Sequence, residues 1–428
     1  MEEIICSYRG IDDMNILFDL SATQPFTGND FHGGGEYAKV VFFRLCELLP
    51  PEVSLEVFYN PKRNIENNIL ELCKTKHIAI HYCTNSSEKS ALLCERNFDV
   101  FYSALPYSYG ELTIPAETKF VYTIHGLRAL ELPPLTDKYK PKYRKEKLER
   151  IKHTFLFLFP FFVKSFIKKY AFKRYINKLN ALFSLQKNQT IITVSNHSKF
   201  AIVYFFPQIN ISRMKVLYSP LKRYNFDNGK TAETFNSFSV EPGKYILLIG
   251  GDRNEKGAYR ACRVLYKLIK DTVYGGVFPK DIKILVLGIS NYKSYRKLTK
   301  NSNRFEFHGY VSTEILEILY KNAFLFMYPT LNEGFGYPPL EAMKYGTICA
   351  CSANSAITEI YGDSVLYFNP YDDIEMSIRI LQSFDEETRK EKHDKIIQRY
   401  QFITKKQEQD MDLLVEEILS KGYAYETS

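Results

Sequence analysis

Short apolar runs rich in Val, Ile, Tyr and Phe recur along this chain with helical stretches between them, and that alternation restricts the fold more than any other feature. In the first half the runs are "NILFDL" (15–20), "VSLEVFY", "IAIHYC", "DVFYSAL", "TKFVYTIHG", "TIITVSN" and "MKVLYSP". In the second they are "KYILLIGG", "IKILVLG", "RFEFHGY", "AFLFMYPT", "TICACSA" and "SVLYFNP". Most end in small or polar residues, as strands of a parallel sheet buried on both faces do. Strands alternating with helices over 428 residues exceed what one core absorbs, so the sequence predicts two parallel α/β domains. The polar, strand-poor stretch 219–244 is the expected boundary. It leaves an N-terminal domain over 1–225 and a C-terminal domain over 240–400. An amphipathic helix near 386–420 closes the chain, and 401–428 is expected to pack back on the N-terminal domain.

Composition narrows the class. With 45% hydrophobic and 25% charged residues this is an ordinary folded protein. The eight cysteines are scattered without a CxxC pair, as expected of reduced thiols in the cytoplasm. The start "MEEIICSYRG" carries no basic stretch followed by a long apolar one, so no signal peptide is expected. The longest apolar run, "FLFLFPFFV" (155–163), is too short to span a bilayer. The formal charge of +8 is concentrated: Lys138 to Lys187 hold fifteen Lys or Arg and two acids, a local +13, which leaves the remainder of the chain at −5. Any anionic surface is therefore met through 138–187.

The stretch "NEGFGYPPLEAMKYG" (332–346) follows the apolar run 323–330, at the strand end where open α/β sheets bind ligands. Pro338 and Pro339 suit the first turn of a helix and Gly346 its stop. Gly334 and Gly336 let the backbone approach a ligand, and the helix start offers N–H groups to an anion. The pattern reads as a phosphate site with a carboxylate at each rim, Glu333 and Glu341. Glu341, near the third helical position, also stabilises a helix start whatever the function, and Glu333 alone reads equally as a solvated loop residue. A glycosidase carboxylate pair is a further reading, although it gives the glycine loop no task.

"EGFGYPPLEAM" resembles the E-x7-E signature of family 4 retaining glycosyltransferases, and five further motifs in order are similar to that family: "HGGGEYAKVVFFRL" (32–45), "TIHGLRALELP" (123–133), "IITVSNHSK" (191–199), "FHGYVSTEILEILYKNA" (307–323) and "AITEIYGDSVLYFNP" (356–370). The resemblance implies the GT-B fold, two Rossmann-like parallel-sheet domains facing across a cleft. It implies that Glu333 contacts the donor sugar and Glu341 the ribose, and that the loop Gly334, Phe335 and Gly336 presents amides to the diphosphate or sugar. Gly34 and Gly35 of the triple glycine that begins at Gly33 are implied to approach the donor too. His125, at a strand end, is implied to lie near the sugar, although "HG" stands here where many members have "HD". Lys256 is implied to hold the diphosphate. Glu255 occupies the place of a common arginine, and Arg253 is the candidate substitute. Catalytic roles thus fall on Glu333, His125 and Lys256.

The implied activity is metal-independent, retaining transfer of a hexose from a nucleotide-diphosphate sugar to a hydroxyl of a glycan or lipid-linked acceptor, with no cofactor beyond the donor. The one Asp-x-Asp, Asp410 and Asp412, is expected on a solvated face of the terminal helix. In "FFVKSFIKKY", Phe162, Val163, Phe166, Ile167 and Tyr170 share one helical face beside lysines, a pattern that suits an anionic membrane interface and a peripheral position on the inner membrane face. The bland reading packs those aromatics on the first domain. No nucleic-acid module is recognisable, so nucleic acid is not an expected partner. A non-catalytic GT-B protein binding membranes or glycans and a nucleotide-sugar epimerase are the alternatives.

Overall fold

A computed structural model describes residues 13–25, 33–132, 160–220, 237–270 and 277–421, with the side chains of 160–171 excluded. The aromatic face from Phe162 to Tyr170 and the segment 133–159 therefore lie outside the described residues.

The chain divides into two compact units. The first comprises residues 1–127, 161–223 and 405–428; the second, 128–160 and 224–404. The first contains a seven-stranded sheet ordered β3-β2-β1-β4-β5-β6-β7 and the second a six-stranded sheet ordered β10-β9-β8-β11-β12-β13. Their strands are β1 Met14–Asp19, β2 Val53–Tyr59, β3 Ala79–Tyr82, β4 Val100–Ser103, β5 Lys119–Ile124, β6 Gln189–Thr193 and β7 Met214–Val216, then β8 Tyr245–Leu248, β9 Lys283–Val286, β10 Phe305–Phe307, β11 Leu325–Tyr328, β12 Cys349–Ser352 and β13 Leu366–Phe368. Every pairing is parallel.

Parallel strands need helical crossovers, and those crossovers cover the sheet faces. The consequence is visible in burial: all residues of β4, β5, β8, β11 and β12 are buried, whereas the edge strand β3 has none. In each sheet the strand order reverses once, between β1 and β4 and between β8 and β11. Ligands of doubly wound sheets bind outside the strand ends at such a point. The seven cysteines among the described residues are all free thiols. Among the described residues no helix is long and apolar enough to cross a membrane.

The last helix, Glu386–Ile418, contributes residues up to 404 to the second unit and those after it to the first. Here the expectation of a solvated Asp-x-Asp fails. Asp410 is buried, accepts a hydrogen bond from the Tyr218 N–H at 2.7 Å and pairs with Lys406 at 2.9 Å. Asp412 takes the Arg44 guanidinium at 2.7 Å. The two carboxylates do diverge around the helix, as residues two apart must, but both faces they occupy are packed within the first unit. Glu417 completes this anchorage, 2.6 Å from the buried Lys119 ammonium, and accepts from the Thr190 hydroxyl at 2.7 Å. An ion pair so desolvated holds only because each charge is matched.

Candidate functional site

The second unit builds its site where β8 and β11 end. Chain leaving β8 turns through Gly250, with φ +75°, and a short 3-10 turn at Asn254–Lys256. Gly257 follows with φ +71°, and a Cβ there would stand 1.9 Å from the Pro329 carbonyl oxygen, so only glycine lets the two loops meet this closely. The Leu331 N–H donates to the Glu255 carbonyl at 2.7 Å and fastens the loop after β8 to the loop after β11.

That contact delivers Lys256 to Glu333. The Lys256 ammonium lies 2.5 Å from Glu333 Oε1, and the same oxygen accepts from the Tyr328 and Thr330 hydroxyls, each at 2.7 Å. Lys256 also donates to the Tyr328 hydroxyl at 2.8 Å. Glu333 is 6% exposed. Burial alone would raise its pKa, but Lys256 and Arg128 together with these donors overcome that effect and lower it to about 2. Burial pulls the Lys256 ammonium the other way, below its usual value, against the attraction of Glu333. Glu333 is also fixed through its backbone, whose N–H donates to Ser355 Oγ at 2.9 Å. Ser355 has φ +48° and ψ −142°, a conformation costly for a residue with a Cβ, and such strain clusters at functional sites.

The glycine loop behaves differently from the sequence reading in one respect. Its helix, Tyr337–Met343, starts as expected at a Gly336 in the left-handed region (φ +93°). It is only seven residues long, and Pro338 and Pro339 remove two of the four N–H groups that a helix start presents. The Leu340 N–H beyond them is taken at 3.1 Å by the Tyr361 hydroxyl, which itself donates to the Gly336 carbonyl. The helix start is therefore a poor anion holder, and positive charge at this site comes from side chains. Glu341 is the fifth helical residue rather than the third. It is half-buried beside the Tyr320 phenol, whose pKa is raised first by burial and then by this carboxylate. Phe335 is buried against Tyr337, ring centroids 5.3 Å apart.

Two guanidiniums complete the charge pattern. Arg253, half-exposed, donates to Glu255 Oε1 at 2.9 Å. Arg128, in the short helix Arg128–Glu131 that clusters with the second unit, lies 3.4 Å from Glu255 Oε1 and 3.6 Å from Glu333 Oε2. Sequence reasoning assigned no role to Arg128, although "TIHGLRALELP" contains it. Lys256, Arg128 and Arg253 face Glu255 and Glu333, a net charge of one positive. Among the described residues no group of three His, Cys, Asp or Glu could hold a metal ion.

The remaining expected residues lie in the first unit. His125 follows β5, with its Nε2 3.0 Å from the Ala104 carbonyl, which assigns the ring proton to that nitrogen. Its N–H donates to the Tyr107 hydroxyl at 2.9 Å, and its ring stands edge-on to Tyr37 at 4.7 Å. Gly33, Gly34 and Gly35 form the first turn of the helix Gly33–Leu48.

The two units together have the GT-B fold. The structure of Anabaena HepE in complex with UDP and glucose matches with a TM-score of 0.58 over 95% of this chain and 98% of that one, at 13% identity. Residues 230–401, which hold the Lys256–Glu333 site, match the family described as glycosyl transferases group 1. O-antigen chain mannosyltransferase RfbU of Salmonella typhimurium is 27% identical over 214 residues, 49% of this chain and 53% of that protein. O-antigen chain mannosyltransferase B of Escherichia coli is 42% identical over 83 residues, 19% of this chain and 22% of that protein. The chain thus spans about half the length of the first of these relatives and about a fifth of the second.

The depressed Glu333 pKa links this site to stability. A carboxyl of folded pKa about 2 adds stability that is fully present above its unfolded value of 4.5 and is lost as pH falls toward 2. Comparing chemical denaturation of the wild type and Glu333→Gln between pH 6 and 2 checks this. The stability difference is expected to change by roughly 3 kcal/mol across that window. A difference independent of pH contradicts the account.

Proposed function

We propose that this protein is a retaining glycosyltransferase, moving a hexose from a nucleotide-diphosphate sugar to a hydroxyl of a glycan or lipid-linked acceptor without a metal ion. The observation that carries this reading is the buried Lys256–Glu333 pair at the switch point of the second sheet, inside the segment that matches glycosyl transferases group 1. An ammonium beside a glycine loop suits a diphosphate leaving group, whose oxygen gains charge as the bond to the sugar breaks. Glu333 Oε1 already takes three donors, which fixes the carboxylate and makes it a poor nucleophile, and Oε2, 3.6 Å from the Arg128 guanidinium, is the oxygen left to accept a sugar hydroxyl. The acceptor oxygen then bonds to the anomeric carbon on the face from which the diphosphate departs, and its proton passes to the departing phosphate oxygen. Glu341 is assigned to the ribose, the amides of Gly334, Phe335 and Gly336 with Gly34 and Gly35 to the donor, and His125 to the transferred sugar. Mannose is the first sugar to test, because both curated relatives are named mannosyltransferases.

Docking on an anionic membrane through 138–187 belongs to the same proposal. Its described part supports it: Phe172 is 44% exposed, and Lys173, Arg174 and Lys178 are exposed beside it.

Two measurements check these statements. Nucleoside diphosphate released from GDP-mannose, UDP-glucose and related donors should be detectable with EDTA present and fall by about 100-fold or more in Lys256→Ala and Glu333→Gln. Variants as active as the wild type exclude the site. Deleting 155–175 should abolish sedimentation with phosphatidylglycerol vesicles; unchanged binding by the folded deletion variant excludes the docking segment.

A further inference from the structure

We propose that Arg128 is a phosphate-binding residue of this site and that Glu255 is the residue that positions it. The inference rests on the donor-site reading above and adds to it a cation and its holder.

Arg128 is paired loosely. A made guanidinium–carboxylate hydrogen bond spans about 2.7–2.9 Å; in the same cluster Arg253 reaches Glu255 at 2.9 Å, and the Lys256 ammonium lies closer still to Glu333, at 2.5 Å. Arg128 instead stands between two carboxylates at 3.4 and 3.6 Å. Its Nε is buried and, among the described residues, has no hydrogen-bond partner. A buried donor left unpaired is costly, so the protein's own groups leave this guanidinium incompletely satisfied. The side chain is 35% exposed, so a ligand reaches the guanidinium from solvent. A planar fork with several donors suits phosphate oxygens better than a second ammonium would.

Glu255 explains why Arg128 stays there. An acid at a diphosphate site would repel the ligand unless it were neutralised. Burial, which would raise its pKa, is outweighed by its own backbone hydrogen bond and by Arg253 and Arg128, so the group stays ionised. Its carbonyl is pinned by Leu331 and Thr330. Glu255 is thus a fixed negative point that holds two guanidiniums at the mouth of the Lys256–Glu333 pair.

The test is calorimetric titration of UDP, GDP, ADP and dTDP, and of the matching nucleosides, into the wild type, Arg128→Gln, Arg128→Lys, Glu255→Gln, the double variant of Arg128→Gln with Glu255→Gln, and Lys256→Ala. Arg128→Gln should weaken the bound nucleoside diphosphate about 10- to 100-fold and leave nucleoside binding unchanged. Arg128→Lys should fall between, since it keeps the charge and loses the fork. Glu255→Gln should weaken the diphosphate in the wild type but add no loss once Arg128 is glutamine, a coupling that a merely structural role does not produce. If Arg128→Gln does not fold, Arg128→Lys decides: diphosphate affinity equal to that of the wild type overturns the proposal. Loss in Lys256→Ala with none in the Arg128 variants overturns this inference and leaves the donor site standing. A wild type that binds no nucleoside diphosphate overturns both.

Discussion

A carboxylate that is almost wholly buried cannot stay charged without help, and the second unit is arranged around providing it. Desolvating an isolated carboxylate costs far more than any single contact returns, so the charge persists only with a matched cation and several hydrogen-bond donors. Glu333 has both, from Lys256, Tyr328 and Thr330. These partners come from two loops and one strand end. Their convergence depends on the absence of a side chain at Gly257, on the Leu331 bond to Glu255, and on a strained Ser355 behind the Glu333 amide. Two backbone irregularities of this unit, Gly257 and Ser355, thus stand where this one ion pair is held.

The same pair sets the charge of the site. Two prolines and Tyr361 leave the glycine-loop helix few N–H groups, so electrostatics here rest on charged side chains more than on a helix end. Three cations against two carboxylates leave one positive charge, which suits an incoming diphosphate. Burial pushes Lys256 toward losing its proton while Glu333 works to keep it charged.

Much of the fold was legible because parallel strands advertise themselves locally. Each of the thirteen apolar runs marks one strand, with β1 and β6 starting one residue before their runs and most of the others trimmed where the sheet gives way to loops. In the site, the sequence marks Lys256, Glu333 and Gly336 as single residues, but the bond that joins the first two spans 77 positions and appears only in the fold. Arg128 was silent because a lone arginine after a strand has no period, and its partner Glu255 is 127 residues away. The signal available was Glu255 itself, an acid among cations that required a counter-charge. Pro338 and Pro339 also announced that the helix start lacks donors, a consequence separate from their fitness for a first turn. Asp410 and Asp412 misled because a polar helix looks solvated until Tyr218 and Arg44, remote in sequence, pack against it.

The most direct measurement is a crystal structure with an intact nucleotide-diphosphate sugar bound. The account predicts diphosphate oxygens within hydrogen-bond distance, about 3 Å, of Lys256 Nζ and a sugar hydroxyl donating to Glu333. A donor whose diphosphate lies elsewhere, with Lys256 and Glu333 touching only each other, would contradict it.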